Sequence, residues 1–212
     1  MDIEQDRDAN AEISWDTNTL ERDGFLKIRK LVFRHTRFDG TMSETLTREV
    51  MDRGDAAAVL PYDPVRDEVL LIRQVLAGNI VAHVPNRPLQ VIAGMVEWNE
   101  SEREVAIREA HEEAGIIMAP EDLVWAQSFM PSPGGCSERV VTFVGPADLA
   151  DAGGIHGLAE EHEDIRVEVM PAAEAIRLLD AGQIEAGPAV VVLSWFARHH
   201  ERLRAEWNGA RK

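Results

Sequence analysis

Three glutamates, Glu109, Glu112 and Glu113, are spaced so that a helix would gather them on one side. At about 100° per residue they fall within an arc of roughly 100°. Carboxylates stacked in this way repel one another, which weakens a helix. A cation offsets that repulsion, and hard divalent ions such as Mg²⁺ prefer oxygen ligands of this kind. A cluster that holds such an ion can neutralise phosphate oxygens and acidify a water. An ordinary exposed helix alternates its charge signs, and this face does not.

The surrounding residues supply a helix to carry the cluster. Ser101 and Glu104 have the spacing of a capping box, which predicts a start near Glu102. Gly115 is placed to end the helix in a left-handed cap. Ala106, Ala110, Ala114 and Ile107 gather on another face, available for packing against a core.

Composition narrows the function classes. The chain has 212 residues and 45% hydrophobic content, enough for one globular domain with an added arm. Lys and Arg number 22 against 38 Asp and Glu, a net charge of −16. That balance opposes binding to nucleic acid or to an anionic membrane. It leaves room for a small phosphorylated substrate, because a metal ion reverses the sign locally. Cys136 is the single cysteine, so no disulfide forms within the chain and a reducing compartment is expected. The opening MDIEQDRDAN is too acidic for a signal peptide, and no apolar run approaches a membrane span. A soluble, cytoplasmic protein is the expectation.

Along the chain, residues 1 to about 20 show little pattern and are expected to be partly disordered. Phe25 to Thr36 reads as a long strand turned at Asp39-Gly40, with Glu44 to Met51 as its hairpin partner. A hairpin is marginal alone, so this arm, residues 1–54, needs its own core or a second chain to pack on. Residues 55–212 form the main domain. Asp55–Pro61 and Glu68–Val75 read as buried strands, Leu76–Pro88 as a loop and Leu89–Ala93 as a short strand leading into the helix. Strands are expected at Leu123–Met130, Val140–Val144 and Ile165–Met170, with an acidic glycine-bearing loop at Gly153–Asp164. Two helices close the chain, one after Pro171 and one from Pro188. His199 and His200 are adjacent on the last helix and face different ways, which favours a surface role over metal binding. The order implies an α+β fold with helices packed on a mixed sheet.

Gly94, Glu100, Arg108, Glu109, Glu112, Glu113, Gly115 and Ile116 match the Nudix box, G-x5-E-x7-R-E-U-x-E-E-x-G-U with U apolar. Ala110 fills an apolar slot with a small side chain. The chain resembles the Nudix hydrolases, and within them the ADP-ribose pyrophosphatase branch. Thr41–Gly54, Ala93–Met95, SPGGCSER and GGIHGLAEEHEDIRV carry the likeness outside the box.

This resemblance implies an α/β/α sandwich with a mixed sheet, preceded by the N-terminal β-arm. It implies a homodimer in which that arm is exchanged, and Mg²⁺-dependent (or Mn²⁺-dependent) cleavage of a nucleotide sugar such as ADP-ribose. It assigns metal binding to the Ala93 carbonyl, Glu109, Glu113 and Glu163, with Glu112 assisting. Glu161 becomes the loop base, Arg108 the residue that orients the glutamates, and Glu100 the holder of the loop-to-helix geometry. Phe25, Arg48, Glu49, Met95 and Glu138 become substrate contacts. Two positions depart: Leu76 stands where the family usually has an arginine, and Gln90 where it has a glutamate. The nearby loop holds Asn79, His83, Asn86 and Arg87 as candidates for a replacement, with Arg87 the foremost as a cation. Another nucleotide substrate, such as GDP-mannose or a dinucleoside polyphosphate, and a non-catalytic ADP-ribose-binding module both stay open.

Overall fold

Residues 10–210 are described by the structure, a computed structural model. The acidic opening up to residue 9 lies outside the described residues. The chain divides into two compact units, one of residues 1–54 with Met130–Glu138, the other of Asp55–Phe129 with residues 139–212.

The first unit is an antiparallel sheet of β1 (Ile13–Arg22), β2 (Lys27–His35) and β3 (Leu46–Asp52), in that order. The expected hairpin is β2 and β3, in register from Lys27↔Asp52 to Phe33↔Leu46. Its turn uses Gly40 at φ 83°, while the Asp39 carboxylate accepts the Thr41 N–H at 2.9 Å. Strand β1 departs from the expectation of a disordered start. Its residues are almost all exposed, so no apolar alternation marks it, and it is held by its pairing with β2. Met130–Glu138, expected within the main domain, instead contacts the arm. The Met51 N–H donates to the Gly135 carbonyl at 2.9 Å, and the Ser137 N–H donates to the Met51 carbonyl at 3.0 Å.

The second unit is built on β4 (Ala56–Asp63), which is buried at every residue. After it come β5 (Glu68–Arg73), the short helix α1 (Ala77–Val81), β6 (Ile92–Met95) and α2 (Glu102–Ala114). Then follow β7 (Val124–Phe129), β8 (Val140–Pro146), β9 (Gly154–His156), β10 (Ile165–Pro171), α3 (Ala172–Asp180) and α4 (Gly187–Ala210). The sheet order is β7-β8-β4-β5-β10-β9, with β6 paired to β4. Strands β4 and β8 are parallel and the other pairs antiparallel, so the sheet is mixed.

Alternation along β4 divides two cores. Ala58, Leu60 and Tyr62 face a cluster with Val192, Leu193 and Phe196 of α4. Ala57 and Val59 face another, with Val105, Ala106, Ala110 and Ala114 of α2. Helices thus cover both faces, which makes an α/β/α sandwich. Helix α4 is also tied at its second half. Asp67 meets His200 Nε2 at 2.5 Å and Arg204 Nη1 at 2.9 Å, and accepts the Tyr62 hydroxyl at 2.8 Å. His200 is therefore a half-buried anchor rather than a surface residue, while His199 stacks on Trp195 at 3.9 Å.

One geometric detail positions the site. Strand β4 pairs with β5 only at Tyr62 and Asp63, and with β6 over Ala56–Val59. Neighbouring β5 thus leaves β4 as β6 joins it, and Ile72 of β5 bridges to Gln90. The box glycine, Gly94, lies on β6 within this region, opposite Ala57 of β4.

Candidate functional site

Helix α2 begins and ends where its sequence signals lie. Ser101 Oγ accepts the Glu104 N–H at 3.3 Å, the Glu104 carboxylate accepts the Ser101 N–H at 2.8 Å, and Gly115 closes the helix at φ 66°. Its alanines sink into the core on one side. That rotation turns Glu109 and Glu113 toward β6, while Glu112 pairs with Arg108 on the same helix.

Glu113 is 2% exposed. Its carboxylate accepts the Ala93 N–H at 3.2 Å, with Gln74 Nε2 at 3.5 Å. The N–H and C=O of a strand residue project to the same edge, so the Ala93 carbonyl is aimed toward Glu113 as well. Burial pushes the Glu113 carboxyl up to about 9, with the charges of Glu109 and Glu163 adding to it and the Ala93 N–H opposing it. Burial also raises Glu109, against the pull of Arg108.

Glu109 reaches β6 because residue 94 has no side chain. A Cβ there would lie 1.7 Å from Glu109 Oε1 and 2.2 Å from its Cδ. The first glycine of the motif is thus the space that the Glu109 carboxylate fills.

Arg108 is the hub of the helix face. Its Nε and Nη2 donate to the two oxygens of Glu100 at 3.0 and 3.1 Å, a bidentate pair. Its Nη1 donates to Glu109 at 2.8 Å and to Glu112 at 3.0 Å. One cation therefore connects the loop before α2 to two of the clustered carboxylates. It also holds the Glu100 carboxyl below the usual range.

The acidic loop approaches from the other side. Gly157, at φ 104°, leaves room that a Cβ would take, 2.6 Å from Glu163 Cβ. Glu163 then accepts the Leu158 N–H at 3.1 Å, and it is the loop carboxylate close enough to raise Glu109 and Glu113. Glu161 lies on the short 3₁₀ turn Ala159–Glu161 and is exposed. The left-handed residue His162, at φ 58°, reverses the chain between the two.

The site residues expected from the sequence thus fall into two groups. Ala93, Glu100, Arg108, Glu109, Glu112, Glu113, Glu161 and Glu163 belong to the second unit, with Met95 half-buried at the end of β6. Phe25, Arg48, Glu49 and Glu138 belong to the first unit. Phe25 is 84% exposed, between β1 and β2. Arg48 and Glu49 are successive residues of β3 and leave it on opposite faces. Glu138 is buried and lies 3.5 Å from Arg53.

Gln74 escaped the sequence reading, and Gln90 entered it only as a departure from the family pattern. Gln74 reads as the polar tail of a buried strand, yet it reaches Glu113. Gln90 presents a buried Nε2 with no hydrogen-bond partner among the described residues. Alternation from Ile92 places Gln90 on the α2 side of the sheet.

Among the described residues, no three His, Cys, Asp or Glu side chains converge as a ready-made metal cage. Arg108 holds Glu109 and Glu112, and Glu113 is turned to the Ala93 N–H. The donor set nevertheless fits a hard cation. It is all oxygen, and two of its carboxyls are raised by burial where a positive charge would lower them.

Residues 52–191 match the NUDIX domain model. The chain belongs to the Nudix family. It is 46% identical over 190 residues to the ADP-ribose pyrophosphatase of Escherichia coli (strain K12), covering 89% of each chain. It is 41% identical over 188 residues to the ADP-ribose pyrophosphatase of Haemophilus influenzae, covering 87% of this chain and 86% of that one. The GDP-mannose pyrophosphatase of Enterobacter sp. (strain 638) is 31% identical over 177 residues, covering 82% of this chain and 88% of the relative. Among solved structures, a crystal structure of an ADP compounds hydrolase superposes with a TM-score of 0.64 at 20% identity, covering 94% of this chain and 96% of that one. That last likeness supports the Nudix sandwich. No helix among the described residues is long and apolar enough to cross a membrane.

Proposed function

We propose that this Nudix pyrophosphohydrolase cleaves the diphosphate linkage of ADP-ribose, giving AMP and ribose 5-phosphate, with Mg²⁺ as its metal and Mn²⁺ as a substitute. The observation that carries the reading is the pair of carboxylates beside β6, the buried Glu113 at Ala93 and the half-buried Glu109 at Gly94. A diphosphate resists hydrolysis because its oxygens repel a nucleophile. A divalent cation held by Glu109, Glu113 and the Ala93 carbonyl, with Glu112 and Glu163 beside them, would neutralise those oxygens and acidify a water.

The chain's own residues do the rest. Arg108 fixes Glu109 and Glu112 in place and is itself fixed by Glu100. Glu161, exposed on a turn two residues before Glu163, takes the proton of the attacking water at its carboxylate. Met95 closes the substrate side of β6. In a homodimer with exchanged arms, Phe25 stacks on the base, Arg48 and Glu49 read its edge, and Glu138 contacts the substrate. The exposure of Phe25 supports that use.

The test is product release from ADP-ribose with and without Mg²⁺, run beside GDP-mannose and a dinucleoside polyphosphate. The reading expects AMP and ribose 5-phosphate, dependent on metal and lost in Glu113→Gln. Faster turnover of another substrate would move the specificity, and Leu76 and Gln90 would be the first residues to explain it. Tight ADP-ribose binding without turnover would make the protein a sensor.

A further inference from the structure

On the sheet face opposite α2 lies a cavity of about 410 Å³ lined by Arg73, Arg87, Arg166, Asp164 and Ile155. The face follows from alternation: Val69 and Leu71 precede Arg73 on the α4 side of β5, whereas Ile165 and Val167 flank Arg166 on the α2 side of β10. Arg73 and Arg166 stand directly opposite each other in the β5–β10 register. Like charges so placed destabilise a sheet unless an anion compensates. One carboxylate oxygen does so, because Glu168 Oε1 pairs with both, at 2.9 Å from Arg73 Nε. Arg87 adds a third guanidinium, 3.7 Å from Asp164. In a chain of net charge −16, three arginines here face two carboxylates.

The donors are only partly used. Arg73 spends Nε on Glu168 and Nη1 on the Arg87 carbonyl at 2.8 Å, and Arg166 spends Nη2 on Glu168. Among the described residues, Arg73 Nη2 and Arg166 Nε and Nη1 have no hydrogen-bond partner.

We infer that this cavity binds a phosphate monoester, separately from the carboxylate cluster across the sheet. Planar guanidinium forks match phosphate oxygens two at a time, and a phosphate dianion offers three oxygens to three arginines. The volume leaves room for a small organic body beside the phosphate, and Ile155 gives that body an apolar wall. Asp164 is the carboxylate the ligand displaces from Arg87. The inference does not depend on which nucleotide the enzyme cleaves.

The experiment is calorimetric titration of the full chain in EDTA with ribose 5-phosphate, inorganic phosphate and, as a control, acetate. Ribose 5-phosphate binds, more weakly at high salt, and acetate does not. Equal binding of inorganic phosphate assigns the recognition to the phosphate alone, and weaker binding assigns part of it to the sugar. Arg166→Gln and Ile155→Glu, both at exposed side chains, each weaken binding at least tenfold while the melting curve is kept. Glu113→Gln leaves binding intact. The inference is overturned if neither phosphate binds, if acetate binds as well, if both cavity variants bind as wild type does, or if only Glu113→Gln abolishes binding.

Discussion

The carboxylate of Glu109 occupies the volume that a side chain on Gly94 would need, with Oε1 1.7 Å from the position of a Cβ. The backbone of Gly94 is not left-handed, so alanine fits the strand conformation. Gly94→Ala therefore keeps the fold and moves Glu109. Because a displacement of about 1 Å can cost on the order of 100-fold in rate, kcat should fall by about that factor while the melting temperature changes little. Steady-state kinetics and calorimetry on the same preparation decide it. Near-normal kcat would show that the Glu109 position is immaterial.

Glu113 links the site to pH. Its carboxyl is pushed up to about 9 in the metal-free protein, above its value in an unfolded chain. The folded state therefore binds more protons than the unfolded state across that interval, and stability falls as pH rises through it. Glu113→Gln removes the titrating group. The metal-free variant should melt higher than wild type at pH 8–9, and the difference should shrink toward pH 5. Mg²⁺ binding to wild type near pH 7 should release a proton, seen as a binding heat that varies with the ionisation enthalpy of the buffer. A heat independent of buffer would show that Glu113 is already ionised.

Much of this site is legible in local sequence. The capping box at Ser101 and Glu104, the cap at Gly115 and the shared face of three glutamates are all matters of spacing within one helix. The burial of Glu113 is not, because it depends on β6 and Gln74 arriving from elsewhere. The cavity arginines are further apart still, since Arg73 and Glu168 meet across 95 positions through a β5–β10 register that no periodicity reveals. Strand β1 was hidden for the opposite reason, having almost no buried side chain to mark a face. Helix α1 buries no residue either, so its segment reads as loop. The different settings of Glu161 and Glu163 turn on His162 in a left-handed conformation, which its residue type does not announce.

Asp63 is the stability counterpart of the acidic cluster. It is fully buried at the end of β4, and its oxygens accept the N–H groups of Val65, Arg66 and Leu149 at 2.9, 3.1 and 3.2 Å. Burial acts to raise its carboxyl, but these bonds and the Arg66 guanidinium outweigh it and hold the carboxyl below the usual range. A depressed folded value means that the stabilisation is present at neutral pH and is lost as pH falls through the acid range. Asp63→Ala strips buried N–H groups of their acceptor and should cost about 3 kcal/mol at pH 7. The loss should narrow at low pH, where wild type also gives up the charge. Urea unfolding at pH 7 and pH 3 measures both, and an equal loss at the two values would rule out the charge as the cause.

Arg108 separates charge from shape. Its guanidinium makes the two-pronged bond to Glu100 and reaches Glu109 and Glu112 with a third nitrogen, so one side chain serves three carboxylates. Lysine keeps the positive charge but has a single ammonium, which cannot span the Glu100 fork and the helix face together. In Arg108→Lys the repulsion between Glu109 and Glu112 is still partly screened, so the helix should persist, but the carboxylates lose their fixed orientation. Changes to residues that orient metal ligands typically reduce metal affinity or activity by about 10- to 100-fold. The expected result is a loss of that size in kcat/KM with a raised Mg²⁺ requirement, and unchanged helical circular dichroism. Glu100→Gln should give a smaller loss in the same direction, because it keeps one acceptor for the fork. Equal activity in Arg108→Lys and wild type would mean that the charge alone suffices and that the bidentate geometry is incidental.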